Sequence, residues 1–577
     1  MFKHITDVLV IGGGISGAFA AIEARQTGAS VMLVDKGYFG RSGCSAVASG
    51  VQQVFVSDED DLEDWVVAWG GPLVNLRLAR KAILESYEIY QLMDEWGVKW
   101  VKHRGRIVRT CSGGAGSKAL KQALFAEGGP QMMMAMRSAA LNKGVEVVNR
   151  IMIVDLLMSS TEPQDQPRVT GAVGFNCRDG SIHVFHAKAT IVCTGPYRFP
   201  NATHTGLGFR GMPLDAAPSG IAMMLRVGAV LGKLEFGGYA PSPAHSHSAP
   251  GLELIGGLGG RFVDSAGADI LSSSNNIGDA GMQARRSTIS LAIAKQQVRG
   301  GGPAYLDLRH FSEEEMQLLR NVIPIVIGNM ERCGYDPARA VVPYVSTLPC
   351  TAGGAGGGAA ISESGATSIK GLFAAGNCTD GAYQSMGQQL TGCAVMGRWA
   401  GRGACAALKE LHDWAEPDDT VACERVESLL ERASHGAYEY VRVHEKVQSI
   451  LTAVVGYELA EDKFVMALEH LANVRTEVTG IRATDLHDLV KAISLQSFCE
   501  VFEVVLRVMM RRKESRGNVI RVDEPYTDNV NWLSYTRVRR GNGGILEMWE
   551  DQRPDTTDYI PVRRARVLSS YFSGQRP

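Results

Sequence analysis

The hydrophobic pattern changes period several times along the chain, and the changes divide it. Asp7-Val8-Leu9-Val10-Ile11 is an apolar run of strand length that meets Gly12-Gly13-Gly14, and a small-residue helix is predicted over 16–24. A second apolar run over 29–34 ends in Asp35. Apolar residues at helical spacing predict helices over 76–97 and 131–143, the latter with Met132, Met133, Met134 and Met136 as core filling. Residues 114–121 are polar and read as a loop. Alternation predicts strands over 146–157 and 168–175, a turn at Arg178-Asp179-Gly180, and a returning strand over 182–187. A buried strand over 189–193 then ends in Thr194-Gly195. From about 201 to 345 the chain is richer in Pro, Ser and Gly, with fewer clear helices. A short strand returns at Gly371 to Asn377, and Gly387 to Ala394 leads into another small-residue helix. From about 416 the pattern is helical over 424–434, 437–454, 462–478 and 486–513, with Asp462 and Asp485 as caps. A hairpin is predicted around Arg540 to Gly544, before a basic tail with Arg563, Arg564 and Arg566.

Composition narrows the class. With 577 residues, 45% hydrophobic and 21% charged, the chain reads as globular and large enough for several cores. A net charge of −2 gives no reason to invoke nucleic acid or an anionic membrane as partner. The 11 cysteines include no Cys-x-x-Cys pair, so they read as reduced thiols in a cytoplasmic protein and not as a disulfide framework or cluster ligands. The first strand begins at once and no apolar run approaches about 18 residues, so neither a signal peptide nor a membrane span is expected. His245 and His247 suggest no third ligand by spacing, and no metal site is assigned.

The candidate chemistry begins at the first turn. Gly12-x-Gly14-x-x-Gly17 lets the backbone turn, approach a pyrophosphate and pack helix on strand, while Ile15 and Ser16 open a helix whose N–H groups favour phosphate. Asp35 falls roughly 20 residues downstream, where a ribose-binding acid is expected, with Lys36 beside it. The small residues from Arg41-Ser42-Gly43-Cys44 to Ser49-Gly50 suit a loop lying against a flat ligand. Thr194-Gly195, Gly376-Asn377 and Gln388, Cys393 and Ala394 close the set of cofactor candidates.

Gly12 to Gly17, Arg41-Ser42-Gly43, Cys193-Thr194-Gly195, Gly371 to Gly376, Glu514-Ser515-Arg516-Gly517 and Asn531-Trp532-Leu533 together resemble the succinate dehydrogenase and fumarate reductase flavoproteins. The likeness runs nearly the whole length and is nearer the adenylylsulfate reductase alpha branch. It implies an α/β architecture: a discontinuous Rossmann-like FAD-binding domain (1–232 and 346–415), an inserted α+β capping domain (233–345), a C-terminal helical domain (416–530) and an extension (531–577). It also implies FAD as cofactor.

The departures matter more. The position of the histidine that holds FAD covalently in the fumarate and succinate enzymes is Gly43, so FAD is expected to be non-covalent. The family's substrate histidines fall at Ala240 and near Pro349, its arginine at Gln389, and an acid of its proton path at Leu258. Arg286 matches the proton-donating arginine. Charge-assisted bonds contribute on the order of 1.5–3 kcal/mol each, so losing three of four cations argues against fumarate or succinate turnover.

Two readings follow. In the first, the protein transfers a hydride or electron pair between flavin and a small organic substrate. Arg286 then clamps or protonates that substrate, Tyr239 and Gln389 contact it, and a ferredoxin-like iron–sulfur subunit carries electrons. In the second, it is an electron-transfer or structural flavoprotein subunit without a substrate site of its own.

Overall fold

The computed structural model describes residues 1–69, 73–111, 120–159, 168–198, 216–245, 252–271, 289–290, 292–293, 296, 303–352, 357–381, 389–411, 419–454, 459–516, 519–552 and 563–565. Strand β1 (Phe2–Ile11) is buried from Val8 onward, because parallel neighbours flank it there and helices cover the sheet. Helix α1 (Ile15–Gln26) is buried from Ile15 to Ala24 and leads to β2 (Val31–Asp35). A short strand β3 (Val51–Gln53), helices α2 (Leu62–Trp69) and α3 (Leu76–Glu95), and strands β4 (Arg109–Cys111) and β5 (Lys121–Leu124) follow. Residues 112–119, most of the loop expected at 114–121, lie outside the described residues. Helix α4 (Gly128–Asn142) buries Met132, Met133 and Met136, as the core-filling reading expects, while Met134 is half-buried.

The run expected as one strand over 146–157 is two. Arg150 takes a positive φ of 65° between β6 (Glu146–Asn149) and β7 (Ile151–Met158). The kink lets β6 pair parallel with β2, while β7 pairs antiparallel with β8 (Val169–Asn176). Conversely, the two runs expected at 182–187 and 189–193 are one strand, β9 (Ile182–Val192). Its first half pairs with β8 and its last three residues pair parallel with the strand Leu372–Ala374. The sheet therefore forks, in the order β6-β2-β1-β9, with β8-β7 on one branch and Leu372–Ala374 on the other.

The second sheet is antiparallel. Val342–Ala352 pairs with Gly237–Pro243 and with Ala304–Asp307, which pairs with Arg261–Val263. Helices Glu313–Val322 and Pro324–Arg332 cover it around a core of Leu254, Phe262, Leu306, Met316, Leu319 and Ile327. Leu124 of β5 belongs to this core and Val51 of β3 packs on it, so the small β3-β5-β4 sheet joins the two units.

Helix Gln389–Ala407 returns to the first sheet and crosses α1 at glycines. A Cβ on Gly397 would lie 2.3 Å from Ser16 O, and one on Gly401 2.5 Å from Ala20 O. Arg398 fixes that crossing through Glu23 and Glu88, both at 2.7 Å. Four helices follow: Asp419–His435, Tyr440–Val454, Glu461–Thr479 and Leu486–Arg511. Asp485 caps the last, accepting from Asp488 N at 2.8 Å. Asp462 is not a cap: the N-cap is Ala460, and Asp462 lies in the first turn, where an acid meets the positive end of the helix. The predicted hairpin forms between Ser534–Arg540 and Leu546–Gln552. Arg563 and Arg564 lie on a strand paired with Tyr526–Asp528; Arg566 is outside the described residues. Among the described residues no helix is long and apolar enough to cross a membrane.

Candidate functional site

The turn after β1 is built for close backbone approach. Gly12 holds φ 107°, and a Cβ there would lie 2.4 Å from Cys193 O. A Cβ on Gly17 would meet Gly12 O at 1.9 Å, so Gly17 is what lets α1 sit on the strand. Asp35, at the end of β2, accepts from Gly13 N and Gly37 N at 2.7 Å each and from Ser42 Oγ at 2.8 Å. The carboxylate thereby fixes both loops at the strand ends. Ile15 N, at the start of α1, donates to Ser45 Oγ at 3.0 Å. No acid sits in that first turn, so within the helix nothing offsets the partial positive charge of its N-terminus.

These elements line one cavity. Of the residues expected to hold a cofactor, Gly12, Gly14, Ile15, Ser16, Asp35, Lys36, Ser42, Gly43, Cys44, Thr194, Gly195, Asn377 and Cys393 are on its wall. Six others are placed behind or beside it. Gly17 packs helix on strand, as above. Arg41 is exposed, and Ser49 and Ala394 are buried in the structure. Gly50 donates its N–H to Val322 O at 2.8 Å, joining β3 to the helix over the second sheet. Gly376 (φ 80°) lies beneath the wall, where a Cβ would meet Ser16 Oγ at 2.7 Å. Gln388 and Arg286 lie outside the described residues, as do the side chains of Tyr239 and Gln389.

The sequence reading missed part of the wall: Gly13, Ser45, Ile151, Met152, Ile153, Ser219 and Met223. The Ile151–Ile153 segment reaches the cavity only because the chain turns at Arg150, and apolar spacing gives no sign of that turn. Ser45 had a signal in its place within the small-residue run.

The set fits FAD. A glycine turn and unopposed helix N-terminus suit a pyrophosphate, an acid at the end of β2 suits a ribose, and Ile11, Val34, Ile151, Ile153 and Met223 give apolar walls. Burial, with Cys378 nearby, pushes the Cys193 thiol well up, so it stays protonated and uncharged at the cavity wall. When bound, FAD supplies two-electron redox chemistry that these side chains lack.

A profile of the FAD binding domain family matches residues 7–394, and one for the fumarate reductase flavoprotein C-terminal region matches 444–566. An uncharacterized FAD-dependent oxidoreductase of Methanocaldococcus jannaschii is 26% identical over 546 residues, covering 90% of this chain and 94% of its own. The fumarate reductase flavoprotein subunit of Escherichia coli is 25% identical over 587 residues, covering 94% and 93%. The structure of adenylylsulfate reductase from Archaeoglobus fulgidus superposes with a TM-score of 0.83 at 21% identity over 97% of each chain. That of Escherichia coli quinol fumarate reductase does so at 0.82 and 22%, over 97% of this chain and 99% of its own. At such identities the superpositions carry the fold, and the profiles carry the family. The chain belongs to the fumarate reductase and succinate dehydrogenase flavoprotein family, and it is an FAD-dependent oxidoreductase.

Proposed function

We propose that the protein holds FAD without a covalent link and transfers a hydride or electron pair between it and a small organic substrate other than fumarate or succinate. The observation that carries this reading is Gly43. It lies on the cavity wall at φ 79°, with no described residue within 4 Å of a Cβ, at the position where the covalent members of the family carry histidine. A glycine there offers no nitrogen to bond the flavin. The remaining wall residues, from Gly12 to Cys393, hold the cofactor by backbone N–H groups, hydroxyls and the Asp35 carboxylate. Arg286 clamps or protonates the substrate, and Tyr239 and Gln389 contact it.

The substrate is bound between the FAD domain and the capping unit at 233–345, where Ala240, Leu258, Pro349 and Gln389 stand in place of charged residues. A small ferredoxin-like iron–sulfur subunit exchanges electrons with the flavin. The description of the Escherichia coli relative as a flavoprotein subunit supports a partnered arrangement.

Acid precipitation tests the cofactor claim: the yellow colour goes to the supernatant, and colour kept in the pellet overturns it. For the reaction, the photoreduced holoprotein is mixed anaerobically with enoyl, keto and sulfur compounds. At least one reoxidises the flavin at a turnover rate. If none does, alone or with co-purifying proteins, the protein is an electron-transfer or structural subunit.

A further inference from the structure

Between α3 and β4 the chain makes one tight hairpin. Lys102–His103 pairs antiparallel with Arg106–Ile107, in the register Lys102↔Ile107 and His103↔Arg106. Arg104 and Gly105, between them, hold φ 50° and 79°. Positive φ at both central positions is what a two-residue hairpin turn needs, and glycine adopts it without steric cost. An arginine in that place is unfavourable for the turn itself.

The turn also concentrates charge. Residues 99–109 contain Lys99, Lys102, Arg104, Arg106 and Arg109 and no acid, in a chain whose net charge is −2. Cations at the base of the hairpin have partners: Lys99 meets Glu127 at 2.5 Å, Lys102 meets Asp94 at 2.7 Å, and Arg109 meets Glu59 and Asp60. At the tip, His103, Arg104, Gly105 and Arg106 are all exposed. Two guanidinium groups two residues apart on a tight turn repel each other, so the tip does not serve stability.

The backbone ties this tip to the cofactor loop. Val108 N donates to Val101 O at 2.8 Å, and Val101 N to Leu124 O at 2.8 Å. Next to Leu124, Phe125 N donates to Gly50 O at 2.9 Å. Gly50 ends the small-residue loop that includes Gly43 on the cavity wall. Val101 and Val108 pack on the core of the second unit, so the base of the hairpin is anchored where the two units meet.

An exposed, acid-free cationic turn fits a carboxylate-rich surface. Nucleic acid would need a wider basic surface than one turn, and the overall charge of −2 opposes it. We propose that the His103–Arg106 turn docks the acidic face of the iron–sulfur electron carrier, an inference that rests on the proposed exchange of electrons with a separate subunit. Arg104 and Arg106 donate to carboxylates of the carrier and steer its approach, in a small and salt-sensitive contact.

A reduced, acidic two-iron ferredoxin of the plant type is the probe. It is mixed anaerobically with oxidised holoprotein by stopped flow, and bleaching of the flavin is followed. Two ferredoxins give up one electron each for every FAD reduced, and the protons come from water. The parent's second-order rate falls at least about tenfold between about 20 and 200 mM salt. Arg104→Glu with Arg106→Glu lowers the low-salt rate by at least about tenfold and flattens the salt dependence, at unchanged flavin content and thermal midpoint. Arg104→Asn with Arg106→Gln, in which the asparagine suits the turn, lowers it by about threefold. Arg339→Glu with Arg442→Glu makes the same change in net charge at exposed arginines elsewhere, and stays within about twofold of the parent. A parent rate that ignores salt, a hairpin variant as fast as the parent, or equal losses in the hairpin and control pairs overturns the proposal and leaves the carrier reading in place. If ferredoxin fails to bleach the parent flavin at any salt concentration, the carrier reading falls and takes the docking surface with it.

Discussion

Two buried polar clusters of this molecule are built on opposite plans. Arg512 and Glu235 are both fully buried and pair at 2.8 Å; Arg512 also meets Glu514 at 2.8 Å, and Glu514 meets Arg516 at 2.6 Å. The Trp532 and Ser534 carbonyls take two more Arg512 bonds, at 2.9 and 2.8 Å. This cluster ties the chain just before the second sheet to the segment after the last long helix. Gln122 and Thr110, paired in register on β5 and β4, and Trp65 of α2 are neutral instead, and among the described residues Gln122 Nε2, Trp65 Nε1 and Thr110 Oγ1 are sealed from water with no hydrogen-bond partner. Most of the charged cluster is bonded by the protein itself, with Glu235 Oε2 alone of its carboxylate oxygens lacking a partner among the described residues. Leaving a neutral polar group unpaired in the interior costs less than leaving a charged one unpaired.

The comparison can be broken most forcefully at its charged side. Glu235→Leu leaves the buried Arg512 guanidinium with a single carboxylate, Glu514, that it shares with Arg516, and urea unfolding should show a loss of about 3 kcal/mol. Gln122→Leu or Thr110→Val removes an atom, Gln122 Nε2 or Thr110 Oγ1, that has no partner among the described residues. Either should stay within about 1 kcal/mol of the parent or gain stability. A comparable loss at both clusters would erase the distinction.

Smaller effects sharpen it at the cofactor end. Asp35→Ala removes the acceptor for Gly13 N, Gly37 N and Ser42 Oγ, and should weaken FAD binding by at least about tenfold in a fluorescence titration of apoprotein. Asp485→Ala, far from either cluster, should cost about 1 kcal/mol in unfolding through loss of a helix cap, with FAD content unchanged.

The mildest prediction concerns pH. His4 Nε2 and His183 Nδ1 are 3.0 Å apart, and burial holds both rings below the usual histidine range. Each also lowers or is opposed by a neighbour: His4 lowers His183, while Glu146 raises His4 and Asp179 raises His183. A folded pKa below the unfolded one means that the neutral pair adds stability above about pH 6.5 and loses it as the pH falls. His183→Gln should flatten the decline of the thermal midpoint between about pH 6.5 and 5, and an unchanged slope would show that other groups set it.

How much was legible depended on whether the signal was local. The glycine turn, Asp35 and Thr194-Gly195 are short-range features, and all of them reach the cavity wall. The strand Ile182–Val192 was read as two because Lys188 interrupts its apolar run; in the fold that lysine pairs with Asp7 at 2.8 Å on the neighbouring strand. Nothing in the residues around Arg150 demands a positive φ, although its N–H donates to Gly37 O at 2.9 Å. Asp462 reads as a cap in the sequence because an acid near a helix start serves either role. The alignment of Gln53, Gln122 and Thr110 was invisible for a different reason: only strand register brings those three positions together. Of the residues assigned to the substrate, Arg286 is outside the described structure, so that end rests on sequence.

The central claim is that the site has exchanged charge recognition for neutral recognition, and one stopped-flow measurement addresses it. Photoreduced holoprotein is mixed anaerobically with fumarate and, separately, with its diamide at equal concentration, and flavin reoxidation is followed. The account predicts that the diamide reoxidises the flavin faster than fumarate, with fumarate near the buffer rate. Fumarate reoxidising the flavin faster than the diamide would contradict it.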